Sequence, residues 1–281
     1  MKKILITGAN SYIGTSFEKY IKENFAEEYV VDTVDMIDGN WCQKSFSGYD
    51  SVFHVAGIAH QKETKQNAPL YYSINRDLAI ETAEKAKKDG VKQFVFLSSM
   101  SVYGMDTGVI TKETQPKPKS HYGKSKLQAE YGIIEFEDEN FKVCILRPPM
   151  VYGEGCKGNF QTVVKIVKKF SFFPYVKNER SMIYIDNLNA FVKMCIDNTL
   201  SGLYFPQNRE YVCTMDMARE IAKGLDKKIR FDHITGVGVR LLRLFVPVAK
   251  KGFGSLIYTT EDDRNHSIIS NEESIRRSVV L

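Results

Sequence analysis

From residue 1 to about 200 the chain alternates short apolar runs with longer segments whose apolar residues recur every three or four positions. Lys3–Thr7, Tyr29–Val34, Ser51–Val55, Gln93–Ser98 and Lys142–Arg147 are rich in Val, Ile and Phe and read as buried strands. Ser11–Phe25, Tyr71–Lys88 and Tyr122–Glu137 carry the spacing of amphipathic helices. Parallel strands need crossover connections, so this alternation predicts an α/β fold: a doubly wound parallel sheet covered on both faces. After Pro148-Pro149 the pattern loosens into a helix near Phe160–Lys169, a loop, Ser181–Ile185, and a helix from Asp186 to about Asn198. Beyond that stand one helix, with Thr214 as its expected N-cap, and an apolar stretch from Gly236 to Lys250. The expected division is residues 1–150 plus about 183–205 in the sheet domain, with about 151–182 and 206–281 in a smaller lobe.

At 281 residues the chain can bury one large core or two unequal ones, and 43% apolar with 26% charged residues is ordinary for a globular protein. The net charge of +5 is spread thinly, with lysines beside acids as in Glu84-Lys85-Ala86-Lys87-Lys88-Asp89. No basic stripe interleaved with aromatics points to nucleic acid. The five cysteines are far apart and never form a C-x-x-C pair, which argues against disulfides and zinc and for a reducing compartment. The apolar run at the N-terminus is too short for a signal peptide, and none approaches the roughly 18 residues of a membrane span. A cytoplasmic location is expected.

Chemistry concentrates where strands end, which is where open parallel sheets bind ligands. After the first strand come Gly8, Ser11, Tyr12, Ile13 and Gly14, a phosphate-binding turn in which Ser11 stands where a glycine is usual. The serine hydroxyl can bond a phosphate or a free N–H of the first helical turn, and the loop alone equally suits a plain strand–turn–helix. In His121-Tyr122-Gly123-Lys124-Ser125-Lys126 the tyrosine and the second lysine are four apart and share a helix face. An ammonium beside an oxidised nicotinamide lowers a phenol's pKa, so the pair can move a proton to or from an alcohol. Upstream, a buried strand exits through Ser98-Ser99, and a hydroxyl there could hold the same oxygen.

Together these features resemble the extended short-chain dehydrogenase/reductase family, in particular its nucleotide-sugar epimerases and dehydratases. The resemblance runs from Lys3 to about Leu188. It rests on Thr7-Gly8 with Gly14, His54-Val55-Ala56-Gly57, Asn75, Ser98-Ser99 with Val102-Tyr103-Gly104, Tyr122 with Lys126, Arg147-Pro148-Pro149 with Tyr152-Gly153, and Arg180 with Tyr184-Ile185-Asp186-Asn187-Leu188. It implies a Rossmann-type NAD-binding domain and a substrate-binding lobe. By the same resemblance Tyr122 is the acid/base, Lys126 lowers its pKa while binding the nicotinamide ribose, and Ser99 holds the sugar hydroxyl. Gly8, Ser11, Tyr12, Ile13 and Gly14 line the pyrophosphate; Ala56 and Gly57 lie under the cofactor, and Pro149 joins that set. Asn159 and Arg180 match positions that grip the nucleotide diphosphate, and His60 lies where relatives place a substrate-facing side chain.

The stretch between the glycine loop and His54 is short, as if a strand–helix unit were trimmed. Asp32, Asp35 and Asp38 compete to bind the adenosine; Asp35 and Asp38 are the candidates carried forward, with Trp41 expected to pack nearby. No arginine lies between Tyr29 and Ser51, which favours NAD over NADP. Dehydratases of the family carry Asp-Glu after the catalytic serine or threonine, and Met100-Ser101 replace it here. The expected function is therefore an NAD-dependent nucleotide-sugar 4-epimerase. An NAD(P)H-dependent 4-keto-sugar-nucleotide reductase is the alternative, and a nucleotide-sensing protein without catalysis is a third class. The expected partner is a nucleotide-diphosphate sugar, and the resemblance allows a homodimer through the helix carrying Tyr122. Cys156 reads as loop filler, and the Gly236–Lys250 stretch as a lobe helix in preference to an interfacial one.

Overall fold

The computed structural model describes residues 1–281 except 38, 60, 246, 260–262, 264–265 and 280–281, and it leaves the side chains of 240 and 242–249 aside. The described residues divide into two compact units. The first comprises Met1–Gly104, Pro116–Pro148 and Asn189–Pro206; the second comprises Met105–Gln115, Pro149–Leu188 and Gln207–Leu281. Met105–Gln115, which the sequence pattern leaves with the sheet domain, thus belongs to the second unit.

Within the first unit the described strands are β1 (Lys2–Thr7), β2 (Tyr29–Val34), β3 (Ser51–His54), β4 (Gln93–Leu97), β5 (Lys142–Leu146) and β6 (Gly202–Tyr204). They form one parallel sheet in the order β6-β5-β4-β3-β1-β2. Among the described residues a single 3-10 turn, Asn40–Gln43, stands between β2 and β3 in place of a strand–helix unit, as the short spacing suggests. The chain reverses direction across the sheet between β1 and β3, which makes that junction the topological switch point.

The helices of this unit are α1 (Tyr12–Asn24), α2 (Ala68–Tyr72), α3 (Leu78–Lys88), α4 (His121–Ile134) and α5 (Ile185–Asp197, from Asn189 onward in this unit). One sheet face buries Leu5, Val52, Phe94, Phe96, Val143 and Ile145 together with Ala79, Ala83 and Ala86 of α3 and Ala129 and Ile133 of α4. Alanines on the contacting turns let the helices come close to large side chains of the sheet. On the other face Phe17 of α1 meets Phe53 edge-on at 5.2 Å, and Asn189 of α5 donates to the Ser16 hydroxyl at 3.0 Å. The expected single helix over Tyr71–Lys88 is α2 and α3 joined by a π-helical turn, Ser73–Asp77. Such a turn inserts an extra residue and often marks a functional position.

The second unit holds short parallel pairs: Met150–Tyr152 with Met182–Tyr184, Phe172–Pro174 with Arg230–Asp232, and Gly108–Ile110 with Leu256–Tyr258. The helix Thr214–Gly224 is capped by Cys213, not Thr214. The Thr214 hydroxyl instead accepts from Asn178 Nδ2 at 2.9 Å. The Gly236–Lys250 stretch falls in two helices, His233–Phe245 and Pro247–Phe253. A Cβ at Gly236 would lie 2.5 Å from the Tyr175 carbonyl, so the first of these rests directly on that backbone. Among the described residues no helix is long and apolar enough to cross a membrane.

His54, at the end of β3, is fully buried between Phe94 and Phe96. Its Nδ1 pairs with the Thr7 hydroxyl at 2.8 Å, and its Nε2 has no partner among the described residues. Burial, with Lys126 nearby, pushes its pKa from 6.5 down to about 3. Unfolding therefore takes up a proton that the folded state refuses. Stability is full above pH 6.5 and is lost as the pH falls toward 3. At about 1.4 kcal/mol per pH unit, wild type should lose about 2 kcal/mol more than His54→Leu between pH 6.5 and 5. Denaturant midpoints of both proteins at the two pH values measure this; parallel losses would remove His54 as the cause.

Candidate active site

The β1 exit sets the cofactor side. Gly8 has φ +105°, and a Cβ there would lie 2.7 Å from Ala56 N and 2.9 Å from Ala56 Cα. Only glycine lets the ends of β1 and β3 approach this closely. At Gly14 a Cβ would come within 3.0 Å of Val55, so α1 is also drawn tight to the sheet. Ser11 caps α1, its hydroxyl accepting from Gly14 N at 3.2 Å. Of its two possible uses the structure shows the second: the hydroxyl serves the helix. Tyr12 and Ile13 open α1, whose first turn carries no acid, so its positive end is not neutralised from within. That is an anion-binding geometry, and the residues present fit a dinucleotide's pyrophosphate.

Past β2, the Asp32 carboxylate accepts from the Tyr49 hydroxyl at 2.7 Å. Asp35 is exposed and accepts from Ile37 N at 3.0 Å, closing its own turn. Asp38 lies outside the described residues. Trp41 is buried in the sheet core with Met36 and Phe46.

The β4 exit sets the other side. Ser98 is buried and donates to Glu130, whose carboxylate also takes Arg147 Nε at 3.0 Å; Arg147 in turn donates to the Tyr103 hydroxyl at 2.7 Å. Ser99 caps the turn Met100–Tyr103, accepting from Ser101 N at 3.1 Å, and its hydroxyl lies against the Tyr122 phenol. Ser120 caps α4 by accepting from Gly123 N at 3.0 Å, which places Tyr122 in the first turn and Lys126 one turn on. Lys126 is only 4% exposed. Its Nζ donates to the Leu97 carbonyl at 2.8 Å and sits 4.7 Å from the Phe96 ring centre. Gly57 abuts the same ammonium, since a Cβ there would lie 3.4 Å from Nζ.

Burial lowers the Lys126 pKa from 10.5 to about 8, with Glu130 opposing. Burial raises that of Tyr122, the Ser99 hydroxyl opposing and Tyr71 adding to the rise. The depression expected beside an oxidised nicotinamide is thus not produced by the protein's own groups. Tyr122 therefore keeps its proton as a phenol in the protein alone.

Two residues with no expected role join the site: Asn75, known above only from the family resemblance, and Glu63. Asn75, buried in the π-helical turn, accepts from Ile58 N at 2.8 Å and donates to Ile58 O at 3.1 Å and Ser125 Oγ at 3.3 Å. A polar residue fully buried on a helix is the signal that could have marked it. Glu63, in the loop after β3, accepts from the N–H groups of His121 and Tyr122 at 2.9 and 3.0 Å. A loop acid has no periodicity to betray it.

In the second unit Pro149 opens the chain segment, and Asn159 is the exposed first residue of a helix running to Lys169. Arg180 is half-buried and donates from Nη1 to the Gly254 carbonyl at 2.8 Å. Burial lowers its pKa, opposed by Asp106, a situation an anionic ligand would relieve. Cys156 is buried and its thiol is pushed up by burial, the opposite of an activated nucleophile. His60 lies outside the described residues. Among the described residues no group of three His, Cys, Asp or Glu side chains could hold a metal.

A UDP-glucose 4-epimerase from Vibrio cholerae is 30% identical to this chain over 253 residues, covering 80% of this chain and 76% of that protein. The N-acetyl-alpha-D-glucosaminyl-diphospho-ditrans,octacis-undecaprenol 4-epimerase of Escherichia coli O157:H7 is 26% identical over 251 residues, covering 82% and 75%. The crystal structure of a UDP-glucuronic acid 4-epimerase from Bacillus cereus in complex with NAD superposes with a TM-score of 0.74 at 18% identity, over 98% of this chain and 95% of that one, a likeness of fold. The model of the NAD dependent epimerase/dehydratase family matches residues 4–202. The glycine-tight switch point and the Tyr122–Lys126 helix are thus parts of an enzyme, and the chain belongs to the NAD dependent epimerase/dehydratase family.

Proposed function

We propose that this enzyme is an NAD-dependent nucleotide-sugar 4-epimerase. It oxidises the C4 hydroxyl of the sugar, lets the 4-keto sugar turn over, and reduces it from the opposite face. One observation carries the reading: the Tyr122 phenol against the Ser99 hydroxyl, with the buried Lys126 ammonium one helical turn away. Tyr122 takes the C4 hydroxyl proton during oxidation and returns it on reduction. Ser99, already against that phenol, is the second hydroxyl that orients the C4 oxygen. NAD, when bound, supplies the hydride acceptor and the positive charge that favours the phenolate.

Gly8, Ser11, Tyr12, Ile13 and Gly14 hold its pyrophosphate at the end of α1, Asp35 and Asp38 its adenosine, and Ala56, Gly57, Pro149 and Lys126 its nicotinamide half. Asn159, Arg180 and His60 serve the diphosphate and sugar. The exposed pair Tyr131 and Ile134 on α4 supports pairing of two copies through that helix. Met100 and Ser101 leave elimination without its acid and base. The Vibrio cholerae relative points to a uridine diphosphate sugar.

The purified protein should release NAD on denaturation and interconvert UDP-glucose and UDP-galactose with no cofactor added. Protein that arrives empty and consumes NADPH with a 4-keto-sugar nucleotide would make it a reductase instead. Tyr122→Phe should lower kcat about 10³-fold while retaining NAD. Gly8→Ala should lose the NAD itself, because a methyl group at φ +105° strikes Ala56. Nucleotide content per chain, read by absorbance after extraction, separates the two effects.

A further inference from the structure

We propose that Glu63 is a positioning residue for the reaction, holding the first turn of α4 so that the Tyr122 phenol stays against Ser99. The inference rests on the acid/base reading of Tyr122 given above.

Tyr122 sits where a helix is least constrained. The first N–H groups of a helix have no partner within it, and terminal turns fray. A proton-transferring group must nevertheless be held to within a fraction of an ångström. Ser120 takes one of these N–H groups, that of Gly123, at 3.0 Å. The two preceding ones, of His121 and of Tyr122 itself, both go to Glu63: Oε2 accepts the first at 2.9 Å and Oε1 the second at 3.0 Å. Both carboxylate oxygens are therefore used on consecutive amides, and one of those amides is Tyr122's own.

Glu63 is itself braced. The turn around it closes through Thr64 N to Asn67 Oδ1 at 2.8 Å and Asn67 Nδ2 to Lys62 O at 3.0 Å. Upstream, the Tyr71 hydroxyl donates to Gln61 O at 3.2 Å, and Asn75 clamps both the N–H and the carbonyl of Ile58. The same Asn75 reaches Ser125 Oγ, which donates to the Tyr122 carbonyl at 2.9 Å. Tyr122 is thus held by its N–H through Glu63 and by its carbonyl through Ser125. Both lines return to the loop that begins at Ala56-Gly57. A negative carboxylate at the positive end of a helix adds attraction to the two bonds. A glutamine in its place keeps the shape but offers one accepting oxygen.

The test uses the NAD-loaded protein and measures kcat and KM for UDP-glucose, NAD per chain and the thermal midpoint. Glu63→Ala should lower kcat per NAD-bearing chain about 10- to 100-fold, with KM and NAD content within about twofold of wild type. Glu63→Gln should fall in between, about 3- to 10-fold down, and it guards against an alanine variant that does not fold. If both variants turn over like wild type per NAD-bearing chain, or if KM and NAD content change while kcat does not, Glu63 does not position Tyr122. Tyr122→Phe run alongside keeps the two ideas apart. Should that variant be inactive while Glu63→Ala is normal, the positioning inference alone falls; should it stay active, the acid/base reading falls with it.

Discussion

An ammonium with almost no access to water is the constraint around which the site is built. Lys126 meets the end of β4 through the Leu97 carbonyl and the Phe96 ring, at a point where burial works against its charge. An isolated buried charge would be intolerable, and the neighbouring network shows how it is accommodated. Glu130, one turn further along α4, supplies the opposing charge, and Arg147 with Ser98 and Tyr103 fixes that carboxylate in turn. Arg147 and Glu130 are 7% and 3% exposed in their side chains, so removing either leaves an uncompensated buried charge, typically at about 3–5 kcal/mol. Such a network specifies where α4 lies on the sheet more than it stabilises the fold.

Burial acts on Tyr122 as well: it raises the pKa of the phenol and keeps its proton on. Under the proposed mechanism an oxidised nicotinamide beside this phenol would favour the phenolate and its reduction would remove that effect, so the protonation of Tyr122 would follow the redox state of the cofactor.

How much of this the amino-acid pattern revealed follows from where each signal lives. Buried parallel strands are apolar on both faces, so β1 to β5 stand out as continuous runs and lie within a residue of their expected ends. Tyr122 with Lys126 and the caps Ser11 and Ser99 lie within a few residues of their partners, and local spacing exposes them. Glu63, Asn75 and the Glu130–Arg147 pair act across 17 to 59 residues of sequence, and no periodicity encodes such a bond. The π-helical turn at Ser73–Asp77 was hidden because one inserted residue barely disturbs a helical pattern. In the second unit the strands are three residues long, too short for any alternation to show. The N-cap of Thr214–Gly224 was misplaced by one residue because Asn178, distant in sequence, claims the threonine hydroxyl.

The strand order has a geometric consequence for the site. β1, β3 and β4 are immediate neighbours in the sheet. Parallel strands lie about 4.8 Å apart, so the ends of β1 and β4 are separated by roughly 10 Å, with the end of β3 between them. Gly8, Ala56-Gly57 and Ser98-Ser99 occupy those three ends in that order. A Cβ at Gly8 would strike Ala56, and one at Gly57 would strike the Asn75 side chain and abut the Lys126 ammonium, so both glycines keep these strand ends close-packed. One edge of one sheet therefore runs from the N-terminus of α1, past Ala56-Gly57, to the Tyr122 phenol and the Ser99 hydroxyl. The strand order thus sets the glycine loop and the Tyr122–Ser99 corner at a fixed spacing along one sheet edge, which neither motif could do from the sequence alone.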